Sequence, residues 1–164
     1  MISDWSHPAW AFIHTVALRV VKTEADVGIF MSLLRRLFKV LPCPVCAHHA
    51  SKQLSLQKIP ITTHKALCVA LWQFHNSVNK MLDKNEFPWD SYVKLYSATS
   101  VEQVIFRFSK TFANLSALLV NRPGMRDFPL VSEALVKWAR YRSGWQGGPG
   151  KKRTGMVRMT MTRN

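Results

Sequence analysis

From Trp10 to Leu82 the apolar side chains return every third or fourth residue, and a capping or chain-breaking signal precedes each new run. That period puts them on one face of a helix and is incompatible with a half-buried strand, whose faces alternate residue by residue. Ser6-His7-Pro8 opens the first run with proline near the first helical position, and Trp10, Ile13, His14, Ala17 and Val21 share a face. Thr23-Glu24-Ala25-Asp26 is an acidic variant of the capping box and starts the stripe Val27, Phe30, Met31, Leu34, Leu37, Phe38 and Leu41. Pro42 and Pro44 end that helix and open another. After a turn at Ile59-Pro60, Thr62 or Thr63 caps a long helix striped by Leu67, Leu71, Phe74, Val78 and Leu82. A loop from Lys84 to Pro88 leads to a short helix from Trp89 to about Tyr96. No segment shows sustained alternation, so the fold class is all-α: a four-helix bundle with a short fifth helix.

Further helices are expected beyond this bundle. Ser100-Val101-Glu102-Gln103 is a capping-box start for a helix to about Val120, Asn121-Arg122-Pro123-Gly124 breaks it, and a last helix runs from about Phe128 to Arg142. Val104, Ile105, Phe108, Phe112, Leu115, Leu118, Leu119, Leu135 and Trp138 are too much apolar surface to leave in water, so this pair joins the bundle or an oligomeric contact. The chain then reads as a bundle domain over 1–97, a helical extension over 98–143, and a basic glycine-containing tail over 144–164 that reads as disordered. Charge follows the same division. Residues 1–96 hold eleven Lys and Arg against six acids, and residues 97–164 hold twelve against three, within a net charge of +14. A polyanion such as nucleic acid is one partner class this implies, met weakly through the tail. No apolar run approaches the ~20 residues needed to cross a bilayer, and the N-terminus lacks a secretory pattern. A soluble protein of the cytoplasm is expected.

Three cysteines without a secretory pattern are too few for a disulfide scaffold. The pair in LPCPVCAHH, Cys43 and Cys46, is then catalytic, metal-binding or merely buried. The flanking prolines put Cys43 at a helix N-terminus, where unpaired amide groups and the helix dipole favour a thiolate. Cys46 lies one turn deeper on the same helix. This suits a dithiol that meets an outside partner through Cys43 and something internal through Cys46. Zinc is the competing chemistry, because Cys43, Cys46, His48 and His49 are four potential ligands within seven residues. Adjacent helical histidines, however, diverge by about 100°, and no metal site is expected. A thioredoxin-type motif would need strands around it, and none is predicted.

A second constellation lies in LWQFHNSVNKML, where His75, Asn76, Asn79 and Lys80 form a polar ridge beside Leu71, Phe74, Val78 and Leu82. Asparagine is a poor helix former, and two of them with a histidine in mid-helix are a local penalty that a functional role would explain.

Taken together, W-x3-H at Trp10 and His14, LPCxxC with a following His pair, HNxVN-K-x-L from His75 to Leu82, and W-x2-Y at Trp89 and Tyr92 resemble the Erv/ALR family of FAD-dependent sulfhydryl oxidases. The sparse cysteines are most similar to members encoded by large cytoplasmic DNA viruses, which would place the protein in the host cytoplasm or the virion. The resemblance covers about residues 5–97 and implies a bundle holding FAD, with Cys43 as the interchange cysteine and Cys46 beside the flavin. It implies further that Trp10 and His14 line the flavin pocket, and that His75, Asn76, Val78 and Asn79 hold adenine and ribose. Lys80 and Lys84 would face the pyrophosphate, Trp89 would pack near the adenine, and Tyr92 would be a further cofactor-binding residue. The implied partners are a dithiol protein substrate or redox carrier, dioxygen, which is turned to hydrogen peroxide, and a second copy in a homodimer.

The chain departs from the family pattern in places. Ser6-His7 stands where cellular members have Gly-Arg, no shuttle cysteine pair is present, and Trp72 occupies the position of a cysteine that flanks the HNxVN helix in a structural disulfide. Cys68 is left as a packed core residue. The other reading of the whole chain is a basic helical nucleic-acid-binding or adaptor protein whose CxxC is structural or zinc-bound.

Overall fold

The computed structural model describes residues 5–55, 60–119, 121–123 and 125–145. Among them are seven helices and no strand: α1 (Ser6–Arg19), α2 (Glu24–Lys39), α3 (Pro44–Ser55), α4 (His64–Met81), α5 (Trp89–Ala98), α6 (Val101–Leu119) and α7 (Phe128–Ser143). The all-α expectation holds. The basic segment read as disordered lies, from residue 146 on, outside the described residues.

Local chemistry sets the helix starts. Thr23 accepts from the Asp26 N–H while the Asp26 carboxylate accepts from the Thr23 N–H, completing the capping box of α2. Thr63 caps α4 through the Ala66 N–H, and Ser100 accepts from the Gln103 N–H at the start of α6. The end of α4 is equally specific. Asp83 sits in the left-handed region at φ 53, with its own N–H on the Lys80 carbonyl and the Lys84 N–H on the Asn79 carbonyl. This pair of bonds satisfies two of the helix's last carbonyls, and a short polar side chain tolerates the conformation.

The core is continuous. α4 lies between α1 and α2 on one side, and the α6–α7 pair joins α1 to α2 on the other. α3 packs on α2 and α4, and α5 on α1. A run of stacked phenyl rings, Phe12–Phe108–Phe112–Phe128, crosses from α1 through α6 to α7 with centroids 4.2, 4.0 and 5.3 Å apart. Phe30 of α2 stacks on Trp138 of α7 at 5.3 Å. The last two helices therefore finish the core of this same chain.

Two expected core residues are elsewhere. α4 stops at Met81, so Leu82 becomes its cap and is 53% exposed. Leu118 falls on the far side of the α6 stripe formed by Val104, Ile105, Phe108, Phe112, Leu115 and Leu119, and is 70% exposed.

One carboxylate ties the halves together. Asp26 is buried and its Oδ2 accepts from the backbone of Lys22 and Thr23 and from the Arg142 guanidinium at 2.7 Å. Burial alone pushes its pKa up, but the hydrogen bonds from Lys22, Thr23 and Arg142 outweigh it and hold the group below its ordinary value.

Candidate active site

Cys43 and Cys46 are joined in a disulfide with Cα atoms 5.2 Å apart. Cys43 stands at the cap of α3, because its carbonyl takes the Ala47 N–H at 2.9 Å and its Sγ accepts the Cys46 N–H at 3.2 Å. Sulfur here does what a serine oxygen does at other helix starts, and negative charge on it would meet an amide donor and the positive end of the helix. Pro44 and Val45 beside it are exposed, Val45 by 68%. Cys46 is packed against the core.

Beyond Cys46 in the chain, a path of rings leads inward. His49 follows one turn on along α3 and its ring lies 6.0 Å from Phe74 of α4, which lies 5.2 Å from Trp10 of α1. Trp10 covers a flat plate made by two imidazoles. His14 Nε2 and His75 Nδ1 are 3.0 Å apart with rings only 10° from parallel, and the indole stacks on His75 at 4.2 Å and on His14 at 5.2 Å. Tyr92 and Tyr96 of α5 close the inner side against His14 at 4.9 and 4.8 Å. Trp10 and His75 are half-buried, whereas His14 and Tyr92 are buried.

Both imidazoles are held neutral. Burial first, then the charge of His75, keeps His14 well below the ordinary histidine range. Burial, followed by the charges of His7 and Lys84, brings His75 down to about 4. His14 Nδ1 is buried without a hydrogen-bond partner.

The ridge on α4 is partly spent on structure. The Asn76 side chain donates to the Phe87 carbonyl at 3.0 Å and accepts the Phe87 N–H at 2.8 Å, and Trp72 Nε1 donates to the same carbonyl at 2.7 Å. This clasp fixes the loop that enters α5, and Trp72 also meets Trp89 edge-on at 5.5 Å. Asn79 turns toward Asn76, Val78 packs against the core, and Lys80 and Lys84 are exposed at the rim. Trp89 stacks on Tyr92 at 5.1 Å.

The structure thus brings Trp10, His14, His75, Trp89 and Tyr92 into one cluster, and extends it toward α3 by two rings that the sequence reading had not placed there, Phe74 and His49. Phe87 and Tyr96 were also missed. An aromatic in a loop and one on a short helix carry no signal until the chain folds back. The four-ligand zinc set is not assembled: both sulfurs are in a disulfide, His48 is exposed and His49 turns inward to Phe74. Cys68 is buried near His64 at 3.7 Å, and desolvation pushes its thiol up to about 11.

A disulfide at a helix start, in a helical bundle that also holds a half-buried plate of stacked rings, is the arrangement of a thiol–disulfide exchange protein. The model of the Erv1/Alr family matches residues 7–97, more than half of the chain, and the chain belongs to that family. It is similar to proteins named FAD-linked sulfhydryl oxidase from two isolates of African swine fever virus, at 27% and 33% identity over 104 residues, covering 61% of this chain and 86% of each relative. It is also 29% identical over 90 residues to the FAD-linked sulfhydryl oxidase ERV1 of Arabidopsis thaliana, covering 52% of this chain and 46% of that one.

Proposed function

We infer that this protein is an FAD-linked sulfhydryl oxidase that makes disulfides in dithiol proteins. The observation that carries the reading is the Cys43–Cys46 disulfide capping α3, on the helix whose His49, one turn past Cys46, meets Phe74 and through it the Trp10–His75 plate.

The residues suit FAD. The plate offers flat, half-buried aromatic faces, His14 Nδ1 lacks a partner among the described residues, and exposed Lys80 and Lys84, the latter close enough to act on His75, would supply cations to a pyrophosphate. We assign its binding to Trp10, His14, His75, Val78, Asn79, Lys80, Lys84, Trp89 and Tyr92. Asn76 belongs with them as a positioning residue, its amide being committed to Phe87.

A substrate thiolate attacks Cys43 Sγ, the Cys43–Cys46 bond breaks, and Cys46 departs as a thiolate. The second substrate thiolate attacks its neighbour in the mixed disulfide and Cys43 departs in turn, with the Cys46 N–H as its donor. The substrate leaves oxidised, its two electrons stay on the cysteine pair, and its two protons pass to solvent. Bound FAD supplies the acceptor that returns the pair to the disulfide and passes the electrons to dioxygen, giving hydrogen peroxide.

Two accessory properties belong to this reading. A homodimer would use surface other than the part of α1 and α2 that α6 and α7 cover. The basic tail would make weak, salt-sensitive contact with nucleic acid, which the +14 charge supports. No helix among the described residues is long and apolar enough to cross a membrane. The viral origin of two relatives supports action in a host cytoplasm or a virion.

The test is stoichiometric. Purified protein should carry about one flavin per chain and, with dithiothreitol, release about one hydrogen peroxide per disulfide formed. A colourless protein that gains no turnover with added FAD would refute the assignment.

A further inference from the structure

The disulfide lies within a long stretch of chain that has no acid. Residues 27–82 contain neither Asp nor Glu, yet hold seven Lys and Arg and four His. At the chain's own frequency of nine acids in 164 residues, about three would fall there. α2, α3 and α4 all come from this stretch after the first turn of α2, and α3 packs on the other two. Arg35, Arg36 and Lys39 are exposed on the last turns of α2, and His48 is exposed on α3. Cations at a helix C-terminus favour its dipole, which accounts for Arg36 and Lys39 but not for the missing acids.

The ion pair found among the described residues, Arg142 with Asp26, uses none of Arg35, Arg36 or Lys39, and Lys39 is the nearest of the three to Cys43 along the chain. Lys39 precedes Cys43 by four residues, so their Cα atoms are within about 14 Å. On α3 itself, burial first, then the charges of Lys52 and His48, depress the pKa of His49, one turn from Cys46. Between the two cysteines Val45 offers an exposed apolar contact.

We propose, resting on the oxidase reading, that this face docks the dithiol substrate and that the substrate is a protein with acidic side chains around its reacting cysteines. The chemistry gives such a pairing a purpose. Acidic neighbours hold free thiols protonated and unreactive, and docking against Arg35, Arg36 and Lys39 offsets that field, lowering the thiol pKa where attack on Cys43 must occur. The proton released goes to solvent. Complementary charge acts mainly on encounter, so selection appears in kcat/KM and weakens with salt.

The experiment uses full-length holoprotein and dithiol peptides of one cysteine spacing, flanked by acidic, neutral or basic residues. At about 0.02 M salt kcat/KM should be at least about tenfold higher for the acidic than for the basic peptide, with kcat within about twofold, and the gap should close near about 0.5 M. In the Arg35→Glu/Arg36→Glu/Lys39→Glu protein the acidic-to-basic ratio should fall to one or below. That ratio is read within a single protein, so changes in its basal rate cancel. The charge-matched Arg107→Glu/Lys110→Glu/Lys137→Glu protein, altered on α6 and α7, should keep the wild-type ratio. Equal kcat/KM for the three peptides with wild-type protein, or equal effects of the two triple changes, would overturn the docking face. Turnover of dithiothreitol, which is uncharged, separates the readings: its absence would sink the oxidase assignment and this one with it.

Discussion

At the scale of single residues, the two cysteines share a bond but not an environment. Cys43 caps α3 beside exposed Pro44 and Val45, and Cys46 is packed toward the core. Serine at either position should lower oxidase turnover by at least about 100-fold. Only Cys46→Ser should accumulate a mixed disulfide with substrate, found on Cys43 by non-reducing mass spectrometry; trapping on Cys46 in Cys43→Ser would reverse the roles. Cys68→Ser should keep turnover with dithiothreitol, since a buried thiol raised to about 11 is no nucleophile at neutral pH. The histidine plate predicts a pH dependence. His75 titrates near its ordinary 6.5 when unfolded and at about 4 when folded, so folding favours the neutral ring. Its contribution is complete above 6.5 and declines as pH falls from there toward 4. Allowing for its partial exposure, wild type should lose on the order of 1–2 kcal/mol in urea unfolding between pH 7 and 5, before carboxylates titrate. His75→Asn should reduce that slope to the part that buried His14 contributes, and an unchanged slope would show that the His75 ring is not held neutral.

At the scale of elements, the clasp between α4 and the loop before α5 is the clearest case of one contact replacing another. Where the sequence comparison with the family leads one to expect a disulfide flanking the HNxVN helix, Trp72 and Asn76 hold the Phe87 backbone by hydrogen bonds. Such a clasp is indifferent to reductant. Trp72→Phe should lower stability by about 1–2 kcal/mol, leaving the shared carbonyl its Asn76 bond, while Asn76→Ala should do more by stranding the Phe87 N–H as well. Both should raise the rate of flavin loss, measured by fluorescence of released flavin; stable retention in both would remove the positioning role. Helix existence and limits were legible because caps, prolines and period act within a few residues of each other, as at Thr23, Thr63 and Ser100. The clasp was not, since Trp72, Asn76 and Phe87 meet only after a reversal at Asp83, a residue with no glycine to announce its left-handed backbone. For the same reason His49, weighed as a zinc ligand, and Phe74, read as stripe, gave no sign of meeting each other and Trp10.

At the scale of the whole molecule, one chain supplies all the helices that close the core. α6 and α7 seal α1 and α2 through the phenyl stack and through Arg142 on Asp26, which joins the last described helix to the start of the second. Asp26→Asn should therefore destabilise by about 2 kcal/mol at neutral pH, with the deficit narrowing as acid protonates the wild-type carboxylate. Ending the chain after Thr99 would uncover Phe12 and Phe30 and should give aggregation or new self-association in sedimentation; a soluble species with unchanged mass per assembly would mean that the extension serves something other than the core. The central claim is that electrons from a dithiol reach bound flavin through Cys43 and Cys46. It is tested by anaerobic titration of the holoprotein with dithiothreitol, followed at the visible flavin band. Wild type should bleach fully, with Cys43→Ser and Cys46→Ser retaining their flavin and bleaching at least about 100-fold more slowly. Equally fast bleaching in the two variants would contradict the account.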